Sequence, residues 1–145
     1  MTATDRSSTN YTNYVTNKYI PTPAIAGGKL YPIYFEATVV SASNINDTYD
    51  LFVIPAGWSV VFLFATTNGL GSSAGAGVTA QIGDSGSATR LMIASDFDAT
   101  GAQAFLAYAG VGYTPTVDTI EELKIAGAAA VVGQVFKGYV FLVQP

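Results

Sequence analysis

The chain has no histidine and no cysteine, and its 145 residues include only six basic and ten acidic side chains. Without histidine there is no Ser–His–Asp or Cys–His nucleophile and no imidazole metal ligand. Without cysteine there are no disulfides and no thiolate metal sites, so stability has to come from packing and strand pairing. Charged residues make up 11% of the chain, against about 25% in an average soluble protein. The net charge is −4. The basic residues Arg6, Lys18, Lys29, Arg90, Lys124 and Lys137 are scattered along the chain. Nucleic-acid binding requires clustered cations, so neither a nucleic acid nor an anionic membrane is expected as a partner. Met1–Asn10 has no apolar leader core, which makes synthesis and assembly in the host cytoplasm the expectation. Ile125–Val143 is apolar enough to resemble a membrane span, but it contains Lys137 and Gln134. A central lysine costs about 2.5–3.5 kcal/mol on insertion. Two strands joined at Gly133 explain this stretch better.

What the chain does contain is apolar surface: half of its residues are hydrophobic, with nine tyrosines and eight phenylalanines, and the mean hydropathy is +0.36. One domain of this length buries roughly 70% of its unfolded surface. The apolar excess is too large for one small core and points to burial between subunits, since obligate interfaces resemble a core cut in half.

Residues 1–25 read as an extended N-terminal arm. They are rich in Thr, Ser and Asn, carry spaced Tyr11, Tyr14 and Tyr19, and stiffen at Pro21-Thr22-Pro23. Residues 26–145 read as one β-sandwich domain. From Leu30 onward Ile33, Phe35, Ala37 and Val39 alternate with Tyr34, Glu36, Thr38 and Val40, the period of a half-buried strand. Tyr49, Leu51 and Val53 begin a second strand. After the Pro55-Ala56-Gly57 turn, Trp58–Ala65 is continuously apolar and implies burial on both faces. Val78–Ile82 and Thr89–Ala94 flank the Gly83–Ser87 turn, and Gln103–Ala109 is short and apolar. Thr119–Lys124 leans towards a helix, with a short strand or a single turn equally open. In the last strand Val135, Lys137, Tyr139, Phe141 and Val143 lie on one face, and Phe136, Val140 and Leu142 on the other. About eight strands and no long helix predict an all-β, antiparallel β-sandwich of jelly-roll-like form. Trp58, Val60, Phe62, Phe64, Tyr139, Phe141 and Val143 are the expected subunit interface.

Three acidic residues could carry chemistry. Paired carboxylates serve glycosidases, and calcium takes six to eight oxygens. Asp84, Asp96 and Asp98, however, each lie within two residues of Gly, Ser or Thr, where aspartate is first a turn residue. Ser85 has no histidine partner. No catalytic residue, metal ligand or cofactor is therefore expected, and the chain reads as non-enzymatic. Asp84 and Arg90 face each other across a predicted hairpin as a turn-stabilising pair.

Ile54-Pro55-Ala56-Gly57-Trp58-Ser59-Val60, a Gly-rich loop, and Ile82-Gly83-Asp84-Ser85-Gly86-Ser87-Ala88-Thr89-Arg90-Leu91-Met92 together resemble the auxiliary capsid proteins (cement or decoration proteins) of tailed bacteriophages. The resemblance spans roughly residues 30–145. It implies a β-sandwich, often homotrimeric, that sits on the virion surface and clamps the major capsid protein, with the tyrosine arm as a capsid contact. A receptor- or glycan-binding fibre module and a self-assembling major subunit are the alternatives.

Overall fold

The computed structural model describes residues 30–40, 46–71 and 75–144. Eight strands alternate along the chain: β1 Leu30–Thr38, β2 Thr48–Ile54, β3 Ser59–Thr67, β4 Thr79–Asp84, β5 Ser87–Asp96, β6 Gln103–Phe105, β7 Thr119–Ala126 and β8 Val135–Val143. The only helical element among the described residues is a 3₁₀ turn, Tyr108–Gly110. The strands form two four-stranded sheets, ordered β1-β8-β3-β6 and β2-β7-β4-β5. Every pairing is antiparallel, and β1 pairs with β8, β2 with β7, β3 with β6 and β4 with β5. First with last and second with next-to-last is the nesting of one long hairpin. With successive rungs falling alternately in two sheets, it gives the antiparallel β-sandwich expected from the sequence.

Side-chain alternation sets which residues face the core. In β8 Phe136, Val140 and Leu142 point inward and are fully buried, as the period-2 pattern requires. In β1 Phe35 and Ala37 do the same. Phe35 bridges the sheets, with its ring 5.3 Å from Phe52 of β2 and 6.1 Å from Phe136. Phe136 continues the chain of rings to Phe97 at 5.1 Å. Room for Phe35 comes from its row neighbours, because Gly138, Ala65 and Ala104 follow it across β8, β3 and β6. A Cβ on Gly138 would stand 2.7 Å from the Phe35 ring and 2.0 Å from the Phe64 carbonyl oxygen.

Turn chemistry matches the sequence at Pro55–Trp58. The Trp58 amide donates to the Pro55 carbonyl at 3.1 Å, and Gly57 takes φ +80° at the position where a type II turn demands it. Thr119–Lys124 lies in strand β7 and has no helical turn. Leu123 and Ile125 point inward from it as core residues. Ile125–Val143 comprises the end of β7 and all of β8, separated by a connection broader than Gly133 alone. No helix among the described residues is long and apolar enough to cross a membrane. The arm tyrosines Tyr11, Tyr14 and Tyr19 and the boundary at residue 25 lie outside the described residues.

Candidate assembly surface

Strand pairing converts the outward positions of the first sheet into rows that run across it. Tyr34 of β1, Tyr139 of β8, Phe64 of β3 and Phe105 of β6 stand in consecutive register, so one row crosses all four strands as aromatic side chains. The Tyr34 and Tyr139 rings are 5.3 Å apart, and those of Phe64 and Phe105 are 5.6 Å apart. The next row is also apolar, with Pro32, Phe141 and Phe62 in register. Phe62 joins the rows, its ring 5.9 Å from Phe141 and 6.3 Å from Phe105. Beyond the aromatic row, Glu36, Lys137, Thr66 and Gln103 form a polar border. Tyr34 donates its hydroxyl to a Glu36 carboxylate oxygen. Partial burial, together with that acceptor and its charge, pushes the Tyr34 pKa up to about 12.

This face is open. Tyr34 is 40% exposed, Phe62 43%, Tyr139 46% and Phe105 56%. Isolated exposed aromatics are ordinary, but a contiguous cluster on one sheet face marks an interaction site. Tyrosine and phenylalanine are the side chains that protein interfaces favour. Among the described residues, the second sheet exposes the isolated Ile93 and Ile120 but no aromatic row. Thr48, Lys124 and Gln81 make a polar row there.

The interface set expected from the sequence divides in two. Phe62, Phe64, Tyr139, Phe141 and Val143 occupy the outer face. Val60 does not: it is fully buried in the protein's own core and has no surface to offer a partner. The cause is a register shift in β3 between Val60 and Phe62. The extra residue, Val61, changes the phase of the strand, so Val61 and Phe62 both emerge while Val60 and Leu63 both face inward. Trp58 also departs from the set. It packs against the core and, at 4.6 Å, against Tyr31, whose row neighbours are the buried Leu142 and Val60. Phe105, Tyr34 and Val61 belong to the face and were absent from the set. Tyr34 carried a signal, since it alternates with core residues of β1. Phe105 carried none, because three residues of strand define no period.

A second constellation lies where β4 turns into β5. Asp84 accepts Arg90 Nε at 2.5 Å and Nη2 at 3.3 Å, and the amides of Gly86 and Ser87 at 2.7 and 2.8 Å. It also accepts the Tyr113 hydroxyl at 3.0 Å. The Arg90 guanidinium lies 4.4 Å from the centre of the Tyr113 ring, a cation–π distance. Burial alone would raise the Asp84 pKa. The bonds from Arg90, Tyr113 and the two amides outweigh it and hold the carboxyl below the usual value. Burial and the bond to Asp84 raise the Tyr113 phenol. The pair thus anchors the hairpin and ties it to the segment after the 3₁₀ turn.

The other two acids serve the backbone. Asp98 is buried and accepts the amides of Gly77 and Val78 at 2.8 and 2.6 Å, while Asp96 accepts the Asp98 amide at 2.9 Å. Among the described residues no three acidic side chains converge as metal ligands. Glu121 was not among the acids singled out from the sequence. It points inward from β7, is fully buried, and neither of its carboxyl oxygens has a hydrogen-bond partner. Read as part of a stretch with helical leanings, it gave no sign of facing the core.

Comparison with known proteins finds the fold among virus shells. Chains from three capsid structures superpose on this one. The capsid of Ralstonia phage GP4 matches with a TM-score of 0.77 and 18% identity over 97% of this chain and 98% of that one. The capsid asymmetric unit of cyanophage Pam1 gives 0.68 and 22% over 88% and 94%. The acid-stable capsid of Helicobacter pylori bacteriophage KHP30 gives 0.58 and 15% over 80% and 89%. No protein-family model and no curated protein matches the sequence. The chain has the fold of a component of phage capsids.

Proposed function

We propose that this protein is a non-enzymatic structural component of a virion that binds the outside of the capsid and stabilises the shell as a homotrimer. The observation that carries the proposal is the aromatic row Tyr34–Tyr139–Phe64–Phe105 with Phe62 and Phe141 beside it. A hydrophobic face of this kind is stable in water once another protein surface covers it. The likeness to three phage capsid chains, each matched over most of its length, supports a shell as the setting.

In this reading the aromatic face and the arm have different roles. The aromatic face packs between copies, where a stable contact needs about 800 Å² per partner. The arm, residues 1–25, reaches the major capsid protein through Tyr11, Tyr14 and Tyr19, by stacking and by pairing its backbone with an exposed strand edge. No nucleic acid, membrane or cofactor takes part. The test replaces all three arm tyrosines with serine in the full chain. The variant is expected to keep the oligomeric mass of the parent and to lose co-sedimentation with shells of the major capsid protein. Undiminished co-sedimentation would remove the arm from the proposal.

A further inference from the structure

Glu121 occupies the inward row of β7 with Leu123 and Ile125, opposite Phe52 of β2. A carboxylate in such a place, with neither oxygen hydrogen-bonded, carries a desolvation cost that no hydrogen bond offsets. The groups facing it come from every element around it. Asp84 of β4 and Glu122 of its own strand disfavour its charge, Arg90 of β5 favours it, and the Tyr113 phenol lies in the same cluster. Arg90 is already engaged, since its guanidinium binds Asp84 and lies over Tyr113.

We propose that Glu121 is a proton-operated latch: neutral, it lets β7 stay packed beside the Asp84–Arg90–Tyr113 cluster, and ionised, it opens that end of the sandwich. Loss of the proton places a second carboxylate beside Asp84 with one guanidinium between them. The strand must then lift to hydrate Glu121, or Arg90 must leave Asp84 and release the hairpin. The segment next to β7, from Gly112 to Asp118, is tied to Ala56–Val60 by side chains, with the Ser59 and Thr114 hydroxyls 2.6 Å apart and the Ala56 amide donating to Asp118 at 2.9 Å, and by its backbone. Gly112 and Tyr113 exchange backbone bonds with Val60 at 2.8 and 2.9 Å, Pro115 accepts the Gly57 amide at 2.8 Å, and Tyr113 bonds Asp84.

The direction with pH follows from burial first and from the Asp84 charge second, which together raise the Glu121 pKa to about 8. An unfolded glutamate titrates near 4.3. The folded state therefore holds one proton more than the unfolded state between those values, and stability falls as pH rises through the window. The unfolding equilibrium constant grows about tenfold per pH unit there and levels off above about pH 8. The absence of histidine keeps the window almost free of other titrations, the α-amino group apart.

The test compares the full chain with Glu121→Gln by urea denaturation from pH 5 to 9 at one protein concentration. Side-chain carboxyl NMR of the parent and amide exchange along residues 110–121 accompany it. The parent is expected to lose stability by about tenfold per unit, to expose those amides as pH rises, and to show a carboxyl titrating far above pH 4. Glu121→Gln removes the slope and the pH-dependent exchange. Parallel pH profiles for the two proteins would overturn the latch. So would a Glu121 carboxyl that titrates near pH 4 in the parent, a readout that holds even if the variant fails to fold.

Discussion

Tyr139 stands in register with Tyr34 on one side and Phe64 on the other, its ring 5.3 Å from that of Tyr34, at the middle of an aromatic row on an open sheet face. The row needs four strands brought together from distant parts of the chain. It is therefore a product of the fold as much as of composition.

Replacing Tyr139 with Thr and Phe105 with Asn should separate assembly from folding. Both side chains are about half exposed, so the folded chain should lose no more than about 1–2 kcal/mol, chiefly from ring pairs worth about 0.5–1.5 kcal/mol each. Light scattering should show the mass falling towards one chain. Lys124→Ser, in the polar row of the second sheet, is the control and should leave the mass unchanged.

Gly138→Ala should destabilise the sandwich although it adds only a methyl group. The new carbon would lie 2.0 Å from the Phe64 carbonyl oxygen and 2.7 Å from the Phe35 ring, so both β3 and the central core ring must shift. Overpacking of this kind costs about 1–3 kcal/mol or more, readable as a lower urea midpoint. An unchanged midpoint would mean that the Phe35 row is less tightly filled than the register implies.

Asp84→Ala leaves Arg90, the Tyr113 hydroxyl and two backbone amides without their acceptor. A loss of about 2–3 kcal/mol is expected, moderated because Arg90 is partly exposed. Tyr113→Phe removes one bond and should cost about 1 kcal/mol. The Asp84 carboxyl is depressed in the folded protein, so its contribution is complete above the unfolded value of about 3.9 and disappears as pH falls through the folded one. Acid titration of parent and Asp84→Asn should diverge at the acidic end, and loss of the Asp84 charge should also bring the Glu121 titration down.

The strands were legible wherever alternation ran undisturbed. In β8 Phe136, Val140 and Leu142 went inward and Tyr139 and Phe141 outward, as their spacing requires. The hairpin around Asp84 was readable because glycine and serine mark the turn and Arg90 follows at a distance that brings it back. Legibility failed where one residue altered the phase. A bulge at Val61 is invisible in a run of apolar residues, and it carried Val60 into the core while Phe62 stayed outside. It failed again at Glu121, since a charged residue is read as exposed unless the fold shows what surrounds it. Phe105 contributes to the face through cross-strand register with Phe64, a relation that no local pattern carries.

The most direct measurement is the light-scattering mass of the full chain, alone and after mixing with shells of the major capsid protein. A trimer of the 15.1 kDa chain that moves into the shell fraction is the expected result. A monomer that stays free of the shells would contradict both the aromatic face as an interface and the capsid as its partner.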